Sequence, residues 1–278
     1  MARHRVRVAF LRDWDMAEPN PEFPPDPYVH EVARPIVARK SDFPDGHAID
    51  AHQHRRHQLL YGASGVVMVV TGQGAWVTPP QRGVWIPAGV PHSVRMFGDV
   101  RTHSLFFKPG AVAAMPDHCQ VVGVSPFMRA LLKEAVGLPH EYDVLGREGA
   151  LMTLIEHEIV RLPHLPLSLA LPAEEGLAGL CRAFLRHPDV HATIDAWSEA
   201  LDLNRRTFTR LFKRETGVTF MTWRQQACLV MALPRLAAGE QVTSIAMDFG
   251  YDNPAAFTTM FQRALGAPPR AYMKAELM

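Results

Sequence analysis

Asn204-Arg205-Arg206-Thr207-Phe208-Thr209-Arg210-Leu211-Phe212, followed by Gly217, recurs in outline as Asn253-Pro254-Ala255-Ala256-Phe257-Thr258-Thr259-Met260-Phe261, followed by Gly266. In each copy apolar residues stand at i, i+3 and i+4 behind an Asn. That pattern predicts a capped short helix with a narrow buried stripe and a polar outer face. An apolar helix-like segment and a tight turn precede each copy, which gives two helix-turn-helix units over about 195–216 and about 242–265. A reader of double-stranded DNA needs such a pair to enter two successive major-groove windows.

The turns carry their own chemistry. Gly250 stands where a positive φ is cheap only without a Cβ, and Asp202 takes that place in the first unit. Asp tolerates the left-handed region better than most residues. Gly217 and Gly266 are expected as C-caps, and Pro268-Pro269 stops the second helix.

Working outward, the charge is local rather than global. Net charge is +1, and from Ala192 onward ten Lys/Arg face eight Asp/Glu. Yet Arg205, Arg206, Arg210, Lys213 and Arg214 crowd one helix, with Glu215 adjacent. Such a run is either a solvated face or a phosphate- and base-contacting one, and its place in the repeat favours contact. With 278 residues, 47% of them hydrophobic, the chain can bury a core in each of two domains. Three cysteines without metal-like spacing fit a reduced cytoplasmic setting. No apolar run approaches the ~20 residues of a membrane span, and the basic start lacks a secretory core.

Prolines at 19, 21, 24, 25, 27 and 35 predict an irregular or disordered arm over 1–35. Short β-branched and aromatic runs then follow, with Thr71-Gly72-Gln73-Gly74 as a hairpin signal, and imply a small antiparallel barrel over 36–125. Two helical stripes occupy 126–165: Phe127, Leu131 and Leu132, then Leu151, Leu154, Ile155, Ile159 and Leu162. They either cover the barrel or pair two copies of the chain, and the length of the second stripe favours a homodimer. Pro163, Pro166 and Pro172 mark a linker, and an all-α domain occupies 174–275. The fold class is therefore α+β in two domains.

In the first half, His52-x-His54-x3-Gln58 and Pro87-x-Gly89-x2-His92 resemble the paired motifs of the cupin barrel. Cupin metalloenzymes offer two His and a Glu, then a third His; Gln58 here replaces the carboxylate, and Met96 stands where Asn is frequent. His52 and His54 alternate onto one face of a strand, and His92 can reach them from another. Three imidazoles suit a divalent transition metal such as Zn, Fe, Ni or Cu. The competing reading is that these histidines line a pocket or serve as hydrogen-bonded core groups, in a chain with 14 of them.

Residues 174–275 resemble the AraC/XylS-type DNA-binding domain. The resemblance rests on Phe208 to Gly217, Trp223-Arg224-Gln225-Gln226, Ile245 to Asn253, and Phe257 through Phe261 to Gly266-Ala267-Pro268-Pro269-Arg270. It implies base reading by Arg206, Thr209 and Arg210, with Arg205 and Lys213 nearer phosphate, and Ala255, Thr258 and Thr259 at matching places in the second helix. Pro234 departs from the family where its connecting helix continues, and predicts a kink or split near Leu233.

The barrel resembles the cupin-type sensor of that family, through His57 to Tyr61 and Pro79 to His92. The resemblance implies a small-molecule effector, with Trp76, Trp85 and Gln58 as pocket walls, and regulation of a neighbouring transporter gene. It also implies RNA polymerase as a partner if the chain activates. No catalytic residue is assigned. A cupin dioxygenase or isomerase with an accessory DNA domain, and a metal sensor, stand as alternatives.

Overall fold

The computed structural model describes residues 29, 31–112, 115–165 and 167–274; residues 1–28 and 30 of the expected arm lie outside them. Two compact units separate. One is the β-rich half through Leu167. The other runs from Ser168 onward and includes the Gly72–Ala75 turn.

In the β domain, β1 (Ile36–Phe43), β2 (Ala48–His52) and β3 (His57–Thr71) all lie antiparallel on a later strand, β6 (His92–Phe107). From β3 the sheet continues through β5 (Arg82–Ile86), β7 (Gln120–Gly123) and β8 (His164–Leu165). β4 (Gly74–Thr78) returns from β3 through the Gly72-Gln73 turn, as the hairpin signal predicts. The pairing of β3 with β6 shifts around Ser64, and the bend there needs a glycine. Gly65 has φ +68°, and a Cβ on it would lie 2.5 Å from Val100 Cγ2 and 2.9 Å from the Asp99 carbonyl.

One face of this sheet packs on two helices, α1 (Pro126–Ala135) and α2 (Arg147–Ile159). Ser125 caps α1 by accepting the Met128 N–H, and Pro126 follows at its first position. Leu59, Tyr61, Trp85, Leu105 and Phe107 from the sheet form one core with Met128, Leu132, Ile155 and Ile159. Each such side chain contributes roughly 1.5–3 kcal/mol by leaving water. The helical stripes thus cover the sheet. Phe127 and Leu154, read as parts of those stripes, instead stand 50% and 38% exposed.

The second unit is helical: α3 (Glu175–Arg186), α4 (Ile194–Ala200), α5 (Arg205–Thr216), α6 (Phe220–Ala237), α7 (Val242–Asp248), α8 (Pro254–Leu265) and α9 (Pro269–Lys274). Asn204 accepts the Thr207 N–H and Asn253 the Ala255 N–H, so both expected N-caps form. Gly217 (φ 76°) and Gly266 (φ 83°) close the same helices in the left-handed region. Around α5 the rings of Phe184, Trp197, Phe208, Phe212, Phe220 and Trp223 meet edge to face at centroid distances from 4.9 Å upward. Around α8, Phe249, Tyr251, Phe257, Phe261 and Tyr272 make a smaller copy. Trp223 also donates its indole N–H to the Ala170 carbonyl at 2.8 Å.

The two turns share one hydrogen-bond plan. Asp202 N–H donates to Glu199 and Leu203 N–H to Ser198; Gly250 N–H donates to Met247 and Tyr251 N–H to Ala246. Asp202 sits at φ 52° and Gly250 at φ 80°, as the sequence predicts. Pro234 does not split the connector. α6 runs unbroken to Ala237, with Pro234 in its last turn, where one missing donor leaves the rest of the ladder intact. Beside it, Arg235 holds Glu240 and Asp248, each at 2.6 Å. Among the described residues no helix is long and apolar enough to cross a membrane.

The turns can be tested as a pair. Gly250→Ala should cost roughly 1–2 kcal/mol or more, because Ala pays for the left-handed backbone and its Cβ would meet Asp189 Oδ1 at 2.9 Å. Asp202→Gly should be close to neutral, because relief of the left-handed backbone offsets the extra freedom that Gly gives the unfolded chain. Denaturant unfolding of the full chain checks both; equal losses would show that the turns do not depend on left-handed geometry.

Candidate functional site

The face of α5 opposite Phe208 and Phe212 is the strongest surface feature of the helical domain. Arg206, Arg210 and Lys213 recur at i, i+4 and i+7 with Thr209 between them, and all four are exposed. Thr209 Oγ1 donates to the Arg205 carbonyl at 2.8 Å, which leaves its methyl and lone pairs outward. Arg205 is engaged: its guanidinium bonds both carboxylate oxygens of Asp195 on α4 at 3.1 Å. Both partners are about two-thirds exposed (66% and 69%), so the pair is worth little in stability and opens readily for another anion. Arg214 turns back onto Glu215 at 2.9 Å.

On α8 the matching row is Ala255, Thr258, Thr259 and Gln262. Ala255, Thr259 and Gln262 are exposed, while Thr258 is half-buried and donates its hydroxyl to the Pro254 carbonyl at 3.0 Å. Gln262 corresponds to Lys213, and extending the repeat by one more helical turn points to it. Asp195, the partner of Arg205, gave no signal of its own, because an exposed carboxylate on a neighbouring helix has no pattern.

The β domain contains a second candidate. His52 and His92 are opposite each other in the β2–β6 ladder, with a register shift between Ile49 and His52. His54 lies just past the end of β2, not on the strand as expected, yet joins them. Ring centroids are 4.3 Å apart for His52–His92, 4.9 Å for His52–His54 and 5.3 Å for His54–His92. One ring nitrogen from each lies within 4.8 Å of the others, and all three residues are buried. His52 Nδ1 faces the Asp50 carbonyl at 2.7 Å and His92 Nδ1 faces the Val90 carbonyl at 2.8 Å. A carbonyl can only accept, so each Nδ1 carries the proton and each Nε2 keeps its lone pair. Burial lowers the pKa of His52, and burial with the neighbouring His52 ring lowers that of His92 to about 4. Both rings are neutral at pH 7.

The three residues expected to wall an effector pocket do not share one face. Gln58 pairs with Ile86 and with Phe106, whereas Trp85 pairs with Leu59, so Gln58 and Trp85 point to opposite sides of the sheet. Trp85 belongs to the helix-covered core, stacks on His57 at 5.2 Å and donates its indole N–H to the Pro116 carbonyl at 2.9 Å. Trp76 is buried and donates to the Cys119 carbonyl at 2.9 Å. Gln58 lies on the side of Phe106, against which His54 packs at 5.3 Å. Its amide donates to Ser104 Oγ at 3.2 Å, while its buried Oε1 meets no hydrogen-bond donor among the described residues. That side is closed in part by the segment before β1, whose Val32, Arg34 and Pro35 carbonyls accept from the buried Arg56 guanidinium.

Comparison with known proteins places these two features. Residues 35–162 match the AraC-like ligand binding domain, and residues 197–275 match a helix-turn-helix domain. The HTH-type transcriptional regulator NimR of Escherichia coli K12 is 31% identical over 222 residues, covering 80% of this chain and 81% of that protein. The chain belongs to the AraC family of transcriptional regulators. The regulator RipA of Corynebacterium glutamicum is 24% identical over 117 residues, 42% of this chain and 34% of RipA. Fatty acid-bound ToxT of Vibrio cholerae aligns at a TM-score of 0.36 and 10% identity, covering 86% of this chain and 94% of ToxT. The chain is thus an AraC-type DNA-binding transcriptional regulator with a ligand-binding domain, and its relatives are regulators rather than enzymes.

For an AraC-type regulator the exposed row on α5 makes a graded expectation. Arg206→Ala and Arg210→Ala should each weaken binding to a cognate operator by ~1–3 kcal/mol and relax preference at one base position. Lys213→Ala should weaken all sequences alike and lower the salt slope by about 1. Fluorescence anisotropy against operator variants measures both, and circular dichroism should stay unchanged because these side chains are exposed.

Proposed function

We propose that this regulator is a cytoplasmic homodimer whose β domain binds a small-molecule effector and whose two helix-turn-helix units read adjacent groove windows, with a neighbouring transporter gene as the regulated output. The observation that carries the reading is the exposed row Arg206, Thr209, Arg210 and Lys213 behind a capped N-terminus. It combines side chains for guanine edges, a thymine methyl and phosphate on one helix face. The row on α8 is short and uncharged, so it supplies positioning and apolar contact more than hydrogen-bonded readout.

Effector sensing is supported by the polar groups on the buried side of the sheet. Gln58 offers a buried oxygen with no donor among the described residues, beside Phe106 and the histidines. A few convergent polar groups in an apolar enclosure are what a small-molecule site requires. Pairing of chains through the segment 126–165 is supported by Phe127, Leu154 and Val160, apolar residues 50%, 38% and 48% exposed. The cytoplasmic setting is supported by three free, buried cysteines. RNA polymerase is the further partner if the output is activation.

Selection of genomic fragments on the purified protein, followed by footprinting, tests the reading. One enriched motif spanning two adjacent groove windows is expected, upstream of a transporter gene, with affinity that falls steeply as salt rises. Salt-sensitive binding without a motif would reduce the helical domain to a non-specific binder and overturn sequence-specific control.

A further inference from the structure

DNA reading leaves the buried histidines of the β domain unexplained. We propose that His52, His54 and His92 bind one divalent transition-metal ion, with at least one coordination position not filled by these three side chains.

The β2–β6 ladder sets His52 directly opposite His92, although forty residues separate them in the chain. The register irregularity after Ile49 re-aims the end of β2. The segment carrying His54 is fixed to the loop before β6, where Gly89 N–H donates to the His54 carbonyl at 2.8 Å. The three rings therefore converge from strand ends and a pinned loop, not from mobile surface positions.

Chemistry narrows the occupant. The Nδ1 of His52 and of His92 is spent on a main-chain carbonyl, which fixes the tautomer and leaves the lone pair on Nε2. Metal-bound histidines are oriented by the same kind of outer hydrogen bond. His92 Nε2 is buried and meets no hydrogen-bond donor among the described residues. An acceptor stranded in this way is costly, and a bound cation removes that cost.

The donors lie within 4.8 Å of one another. A tetrahedral ion with metal–nitrogen bonds of ~2.0–2.1 Å needs them roughly 3.3 Å apart, so the three rings must draw together when an ion is taken up. Imidazole donors select Zn, Ni, Co, Cu or Fe and not Ca or Mg, which demand oxygen. Three neutral ligands leave the double charge uncompensated, so the open position suits water or an anionic donor group. This goes beyond small-molecule sensing and does not depend on it.

The test uses the full-length protein, stripped with a chelator and titrated with Co²⁺, then with Zn²⁺ in competition. One ion per chain is expected, with visible Co²⁺ bands of a nitrogen-ligated, low-coordinate site that Zn²⁺ abolishes. His92→Ala and His54→Ala should each weaken binding by about 100-fold or more, while His118→Ala, at an exposed position, should leave it intact. Operator binding by the same preparations reports separately on folding and on regulation, because the α5 surface contains none of these residues. If a single-Ala variant also loses operator binding, His92→Gln, which keeps a polar side chain, replaces it. Wild type that takes up no Co²⁺ or Zn²⁺, or folded variants that bind as tightly as wild type, would overturn the proposal.

Discussion

Each recognition helix is placed by a single left-handed residue. At Asp202 and at Gly250 the chain reverses with the same two main-chain hydrogen bonds, five and three residues long. That geometry delivers the next segment at a fixed angle, where an Asn cap begins a new helix. Two phenylalanines a turn apart then sink into an aromatic cluster, Phe208 with Phe212 and Phe257 with Phe261. With the angle set by the turn and the roll set by the rings, the opposite face has no choice but to be exposed. The second turn is one residue longer, since Tyr251 and Asp252 precede Asn253 where Leu203 alone precedes Asn204. The two units are copies of a mechanism and not of a sequence.

The β domain solves a different problem with one strand. β6 is shared by β1, β2 and β3, so a single register decides which side chains meet. On the helix-covered face the shared residues are apolar, Leu105 and Phe107 among them. On the other face the same strand contributes Phe106, Ser104 and His92, and its partners contribute Gln58 and His52. Buried polarity is therefore concentrated on one side of the sheet. Because unpaired buried polar groups are costly, such a concentration is what a domain carries when something must be bound there.

These features differ in how far the sequence reveals them. Asn204, Asn253, Gly217 and Gly266 act through neighbours within four residues, so their caps are legible directly. Two short motifs point to His52, His54 and His92, and their rings do come together, but His54 lies past the end of the strand that was expected to carry it. Trp85 and Gln58 are harder. Only the register that pairs Leu59 with Trp85 and Gln58 with Ile86 shows that they face opposite ways. A one-residue difference in alternation inverts a side chain's face, and composition cannot supply it. Pro234 is harder to place, because its effect depends on its distance from a helix end that only the structure locates, at Ala237. Phe127 and Leu154 fit the helical period, but the sheet behind α1 and α2 covers only part of each stripe.

The contrast between α5 and α8 has a physical consequence for regulation. Guanidinium groups at 206 and 210 can discriminate bases and also draw the protein to any duplex through its phosphates. The matching face of α8 carries Ala255, Thr259 and Gln262 and so offers no charge for long-range attraction. The Arg205–Asp195 pair holds one cation of α5 in an exposed ion pair. With a net charge of only +1, the protein has little general attraction to nucleic acid beyond this helix. The exposed cations of the two recognition helices are thereby concentrated on α5.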